Sequence, residues 1–317
     1  MDKIKIAVIG CGTWGTNLIR NFAKLGALDS VCDHNESRAE KIAEEFSCAA
    51  KSWPQILADE GISGVVIATQ AQDHFSCAEA ALKAGKHVFV EKPIALTSKE
   101  AQILGNLADQ LDRRLMVGHL LQYHPVFMRL REMVFAGALG NLQYIYSNRL
   151  NLGKIYGVKD ALWDLAPHDL SMVLSLTNSE PINVYCSKGD YLRAGAADFA
   201  TLNLEFDKGV KAHIFVSWLN PIKEQKLVVI GDKAMAVFDD TRIWQEKLSM
   251  YQHKLSENYD YCGFATERAD AEHIYVEQEE PLKNECEHFM KYIKSGNTPL
   301  TDVRESLKIL RILEKVD

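Results

Sequence analysis

The stretch Ile6-Ala7-Val8-Ile9-Gly10-Cys11-Gly12-Thr13-Trp14-Gly15, followed by Val31-Cys32-Asp33, decides the fold. A four-residue apolar run enters a complete G-x-G-x-x-G turn, a helix-like segment follows, and a second apolar run ends in an acid. Gly10 permits the tight turn, Gly12 lets a pyrophosphate approach the backbone, and Gly15 lets the helix pack closely on the strand. A helix starting near Thr13 and Trp14 aims its unpaired N–H groups and positive dipole end at phosphates. Asp33 stands where an acid accepts hydrogen bonds from the adenosine ribose, and it repels a 2′-phosphate. The expected cofactor is therefore NAD rather than NADP.

The pattern continues outward as alternating strands and helices, the rhythm of a doubly wound parallel sheet. Helices are expected at 36–46, 73–83 (with Gly85 as C-cap) and from Ser98 as N-cap, and strands at 64–69, 87–90 and 115–118. Near residue 120 the rhythm stops. Beyond a helix at 125–135, period-two strands are expected at 142–148, 182–187, 199–206, 210–218, 226–230 and 234–239, then helices at 281–295 and 303–316. The expectation is an α/β protein: a Rossmann domain over 1–120, then an α/β domain with a mostly antiparallel open sheet over 121–317.

Composition narrows the class. A chain of 317 residues with 47% hydrophobic and 25% charged residues has the length and content of two globular domains. A net charge of −7 with no basic stripe argues against nucleic acid as a partner. No apolar run reaches the ~20 residues of a membrane helix, and the N-terminus enters a strand directly rather than a signal peptide. Seven scattered cysteines without a C-x-x-C pair fit free thiols in a reducing cytoplasm.

Ligands of open parallel sheets lie beyond the carboxyl ends of the strands. Thr69 to His74 and Glu91-Lys92-Pro93 follow successive strands there, making Thr69, His74, Glu91 and Lys92 candidate cofactor contacts. A lysine in that crevice can also stabilise negative charge developing on a substrate oxygen. Position alone fits a solvated surface lysine equally well. In Trp163-Asp164-Leu165-Ala166-Pro167-His168-Asp169, Asp164 reads as an N-cap. His168 then falls in the first turn, where the helix dipole favours the neutral ring a general base needs. Asp164 and His168, four apart, share a helix face. Spacing alone slightly favours a capping acid and a packed histidine. His119 and His124 stand at no metal-ligand spacing, and no metal is expected.

Gly10-Cys11-Gly12-Thr13-Trp14-Gly15, Glu91-Lys92-Pro93 and the Asp164–His168 pair, in this order, resemble the Gfo/Idh/MocA oxidoreductase family over nearly the whole chain. The resemblance implies catalytic roles for Lys92 and His168 with Asp164 beside them. It also implies assembly as a homodimer or homotetramer through the second sheet. One departure is the loop Ala68-Thr69-Gln70-Ala71-Gln72-Asp73-His74, where the family usually has Thr-Pro before the histidine. Three further stretches, 118–125, 147–153 and 217–221, are similar to bacterial members that oxidise C3 of UDP-N-acetylglucosamine or a related nucleotide sugar. Such members prepare a ketone for an aminotransferase in surface polysaccharide or lipid A synthesis. On that reading His119, Arg149, Lys154, Tyr123, Tyr156 and Trp163 are substrate candidates, the cations for a diphosphate and the rings for sugar or uracil. The alternatives are a dehydrogenase of free inositol or hexose, and a dinucleotide-binding regulator without catalysis.

Overall fold

The computed structural model describes residues 3–152, 160–258 and 263–317. They form two compact units, one comprising 3–123 with 280–314, the other 124–152, 160–258 and 263–279 with 315–317.

The first unit begins with β1 (Ile6–Ile9), α1 (Thr13–Lys24), β2 (Leu28–Cys32), α2 (Glu36–Glu45), β3 (Ala49–Ala50), α3 (Trp53–Ala58), β4 (Gly64–Ile67), α4 (Ala71–Lys83), β5 (His87–Glu91), α5 (Ser98–Gln110) and β6 (Leu115–Gly118). The six strands lie in the order β3-β2-β1-β4-β5-β6, all parallel. All four residues of β1, β4 and β6 are buried, as expected of strands covered on both faces. α1 covers one face through Gly15, Leu18, Ile19 and Phe22, spaced as one helical stripe. Thr97 is the N-cap of α5 rather than Ser98: its hydroxyl accepts from Glu100 N at 3.2 Å, and Glu100 answers from the Thr97 N–H, a reciprocal capping box.

The second unit holds α6 (Pro125–Phe135), β7 (Leu142–Leu150), α7 (Ala161–Thr177), β8 (Asn183–Gly189), β9 (Phe199–Glu205), β10 (Lys211–Ser217), β11 (Glu224–Gly231), β12 (Ala234–Asp239), β13 (Leu248–Asn258), β14 (Gly263–Arg268) and β15 (Glu272–His273). Among the described residues its nine strands run β14-β13-β12-β11-β7-β10-β9-β8, with β15 beside β13. Every pair is antiparallel except β7 with β10. Ile145, Ser147 and Arg149 of β7 alternate inward, in register with Ala212, Ile214 and Val216 of β10. The opposite face carries half-buried aromatic side chains, including Tyr144, Tyr146 and His213; Tyr146 and His213 stack at 5.5 Å.

The chain then returns to the first unit as α8 (Pro281–Ser295) and α9 (Val303–Val316). This corrects the expected division at 120, which assigned everything after it to one domain. Leu282, Cys286 and Phe289 of α8 join the core of the parallel sheet with Phe22 and Phe89, the two phenylalanine rings Phe89 and Phe289 meeting edge-on at 5.7 Å. Val117 N of the edge strand donates to Thr301 O at 2.9 Å, just ahead of α9.

Candidate active site

The dinucleotide turn has the build its glycines imply. Gly10 has φ +100°, and a Cβ there would meet Ala68 O at 2.5 Å. A Cβ on Gly15 would fall on the Gly10 carbonyl oxygen, so the close approach of helix to turn depends on its absence. A Cβ on Gly12 meets nothing within 4 Å: the space beside the first turn of α1 is open. Gly12 is also the N-cap of α1 and supplies no side-chain acceptor, and the first turn carries no acid. The leading N–H groups are therefore available to an anion.

Asp33, just past β2, accepts from Cys11 N at 2.7 Å and from Asn35 N at 2.9 Å, so its carboxylate is held across the turn. Arg38 Nη1 stands 3.6 Å from it. Gly10, Gly12, Asp33, Ala68, Thr69 and Asp73 line a cleft of about 860 Å³ at the β1–β4 strand ends, where the sheet order reverses. These residues fit NAD. Burial, then the nearby Asp33 charge, pushes the Cys11 thiol up to about 12, which leaves it a protonated hydrophobe.

Three expected cofactor contacts also organise the site. Trp14 Nε1 donates to Glu91 Oε1 at 2.6 Å, and Lys92 N donates to Glu91 Oε2 at 3.3 Å. Glu91 is 8% exposed and lies on Gly118, where a Cβ would be 2.9 Å from its carboxyl carbon. It thus ties the start of α1 to the end of β5. His74 is buried; its Nδ1 lies 2.7 Å from Pro93 O and its Nε2 3.1 Å from Thr69 O, bracing two strand-end loops together. Lys92 is half-buried immediately after β5, joined to Pro93 by a cis peptide.

His119, expected to touch substrate, is buried, with Nε2 2.9 Å from Ser306 Oγ of α9. Burial, then the Lys92 charge, lowers its pKa to about 3. Tyr123, also expected to face substrate, sits in the first unit's core, its hydroxyl 2.8 Å from Thr301 Oγ1 and its ring edge-on to His288.

In the second unit Asp160, not Asp164, caps α7, accepting from Trp163 N at 2.8 Å. Pro167 is inside the helix, and His168 lies beyond the first turn, so the dipole argument for a neutral ring loses its basis. Asp164 and His168 remain one turn apart on α7, both half-buried and both engaged in interactions, with Trp163 half-buried beside them. The neighbouring Asp169 has no exposure and takes Arg149 in a two-point ion pair, Nε at 2.7 Å and Nη2 at 3.2 Å. Ser147 Oγ adds a bond to Asp169 at 2.5 Å. This pinning of α7 to β7 beside His168 was missed in the sequence, although Asp169 directly follows the histidine. Arg149, expected to serve a diphosphate, is committed to it. Lys154 and Tyr156 lie outside the described residues. Among the described residues no three His, Cys, Asp or Glu side chains are arranged to hold a metal ion, and no helix is long and apolar enough to cross a membrane.

Comparison with known proteins bears on both units. Residues 4–119 match the model of the oxidoreductase family with an NAD-binding Rossmann fold, and residues 127–237 match the GFO/IDH/MocA C-terminal domain. The UDP-N-acetylglucosamine 3-dehydrogenase of Acidithiobacillus ferrooxidans is 33% identical over 219 residues, 68% of each chain. The inositol 2-dehydrogenase of Salmonella typhimurium is 22% identical over 227 residues, again 68% of each. The solved structure of the Acidithiobacillus enzyme, GnnA, superposes with a TM-score of 0.85 at 27% identity, covering 100% of this chain and 97% of that one. The chain belongs to the Gfo/Idh/MocA family: it is an oxidoreductase with an NAD-binding Rossmann domain.

Proposed function

We propose that the protein oxidises the C3 hydroxyl of a UDP-N-acetylglucosamine-type nucleotide sugar to the 3-keto sugar. The observation that carries this reading is the likeness to the Acidithiobacillus enzyme, at 33% identity over 68% of the chain and a TM-score of 0.85 over its whole length. Bound NAD supplies the hydride acceptor. The chain's own residues supply placement and proton handling. Lys92 donates to the reacting hydroxyl and stabilises alkoxide character as the C3 hydride leaves. His168 accepts the hydroxyl proton, and Asp164 orients its ring. The product ketone is the electrophile an aminotransferase requires, and on this reading it feeds amination in surface polysaccharide or lipid A synthesis. Trp163 offers a flat face to sugar or uracil, and Lys154 and Tyr156 remain substrate candidates. Arg149 holds α7 through Asp169. The enzyme works in the cytoplasm as a homodimer or homotetramer, with the aromatic face of the second sheet as its contact surface.

The test is NADH formation from UDP-N-acetylglucosamine and from myo-inositol by the wild type and by Lys92→Ala. The wild type should favour the nucleotide sugar. Lys92→Ala should lose roughly 10²–10⁴-fold in turnover, the usual scale for a proton-handling side chain, while still binding NAD. Oxidation of inositol alone would refute the substrate class. Unchanged turnover in Lys92→Ala would refute the catalytic assignment.

A further inference from the structure

β5 and β6 are parallel neighbours in which Glu91 faces Gly118, so Lys92 and His119 are the next residues along, side by side past the carboxyl edge. Strands in a sheet lie ~4.8 Å apart, within reach of a lysine side chain. His119 N donates to Val117 O at 2.8 Å, which turns the chain sharply at that point. The His119 ring is buried and meets Ser306 Oγ through Nε2. Its other nitrogen, Nδ1, is fully buried with no hydrogen-bond partner. A buried polar atom left without a partner is destabilising, a penalty that an apolar side chain at this position would avoid.

We propose that His119 is a positioning residue: a side-chain adjustment of Lys92 brings its ammonium to the unprotonated, unpartnered Nδ1, and the hydrogen bond so formed aims the remaining N–H groups at the reacting oxygen. The inference rests on Lys92 acting as stated above. With Nδ1 accepting from the ammonium, the neutral ring carries its proton on Nε2 and donates it to Ser306 Oγ, a hydroxyl able to accept. Burial and the adjacent ammonium both oppose a second proton, so the ring stays an acceptor through the neutral range. His119 acts through Lys92 and does not touch the sugar.

Two substitutions separate the nitrogens. His119→Asn sets an oxygen near the Nδ1 position, and His119→Gln sets its polar end near Nε2. With NAD and UDP-N-acetylglucosamine, His119→Gln should lose roughly 10–100-fold in kcat, the scale of one hydrogen bond to a charged group. The NAD dissociation constant should hold, and His119→Asn should recover most of the lost turnover. Equal losses in the two variants would reduce His119 to a packing residue and overturn the proposal. A second measurement needs no substrate: ¹⁵N imidazole spectra of the wild type and Lys92→Met. An unprotonated Nδ1 whose resonance moves on loss of the ammonium supports the proposal; a protonated Nδ1, or one indifferent to Lys92, overturns it. Should the wild type fail to oxidise UDP-N-acetylglucosamine, the substrate reading falls and the spectra alone decide the role of His119.

Discussion

Glu285 offers the sharpest test of the first unit's interior. It lies on α8 with no exposed surface, and neither carboxyl oxygen has a hydrogen-bond partner. Burial first, and the Glu91 charge second, hold its carboxyl well above the usual carboxylate range. The folded chain therefore keeps a proton that the unfolded chain releases near the ordinary glutamate value of about 4.3. The stabilisation from this proton is complete below that value and drains away as pH rises toward Glu285's own raised one. Across that window the loss is about 1.4 kcal/mol per pH unit. Glu285→Gln abolishes the titration; its amide is also buried, so any offset it introduces does not vary with pH. Above the ordinary glutamate value the variant should gain on the wild type at about 1.4 kcal/mol per pH unit until Glu285's own raised value is reached. At about 2–4 °C per kcal/mol, the Tm difference should widen by roughly 3–6 °C per pH unit within that window. Urea unfolding followed by circular dichroism, at fixed ionic strength and several pH values, measures it. Parallel stability curves for the two proteins would show that Glu285 is ionised in the fold, and the reasoning would fail.

The glycine turn separates binding from folding. Gly12→Ala, with open space around the new methyl, should melt with the wild type yet bind NAD about tenfold or more weakly by calorimetry, whereas Gly15→Ala should lower the melting temperature itself. Breaking the Arg149–Asp169 pair with Asp169→Asn should cost about 3–5 kcal/mol in urea unfolding, because a buried guanidinium is left uncompensated. The Arg149→Met, Asp169→Leu double variant should recover most of that loss; equal destabilisation in the two would argue against an uncompensated charge as the cause.

Much of this architecture is legible in the residues. The Rossmann rhythm, α6, α8 and the strand Ala234–Asp239 follow from periodicity and turn chemistry, because local pattern decides them. Which core a helix serves is not a local property. The apolar stripe of α8 reads the same whether it faces the first sheet or the second, and only the tertiary structure assigns it to Phe22 and Phe89. β13 escaped notice because its Ser249, Gln252, His253 and Lys254 blur the two-residue alternation. At α7 two acids four residues apart, Asp160 and Asp164, each offer a plausible cap, and the hydrogen bond to Trp163 N chooses the first. For Tyr123 and Arg149, residue type suggested a ligand contact while burial and specific partners gave each a structural duty.

The return of α8 and α9 to the first unit has a consequence for how the protein is made. A ribosome that has delivered everything through β6 has produced a parallel sheet whose apolar surface around Phe22 and Phe89 still waits for Phe289, more than half the chain away. Nascent-chain folding of the nucleotide-binding half must therefore pause until the second unit has emerged. A fragment expressed to residue 120 exposes that surface to water, and chaperone binding or aggregation is its expected fate.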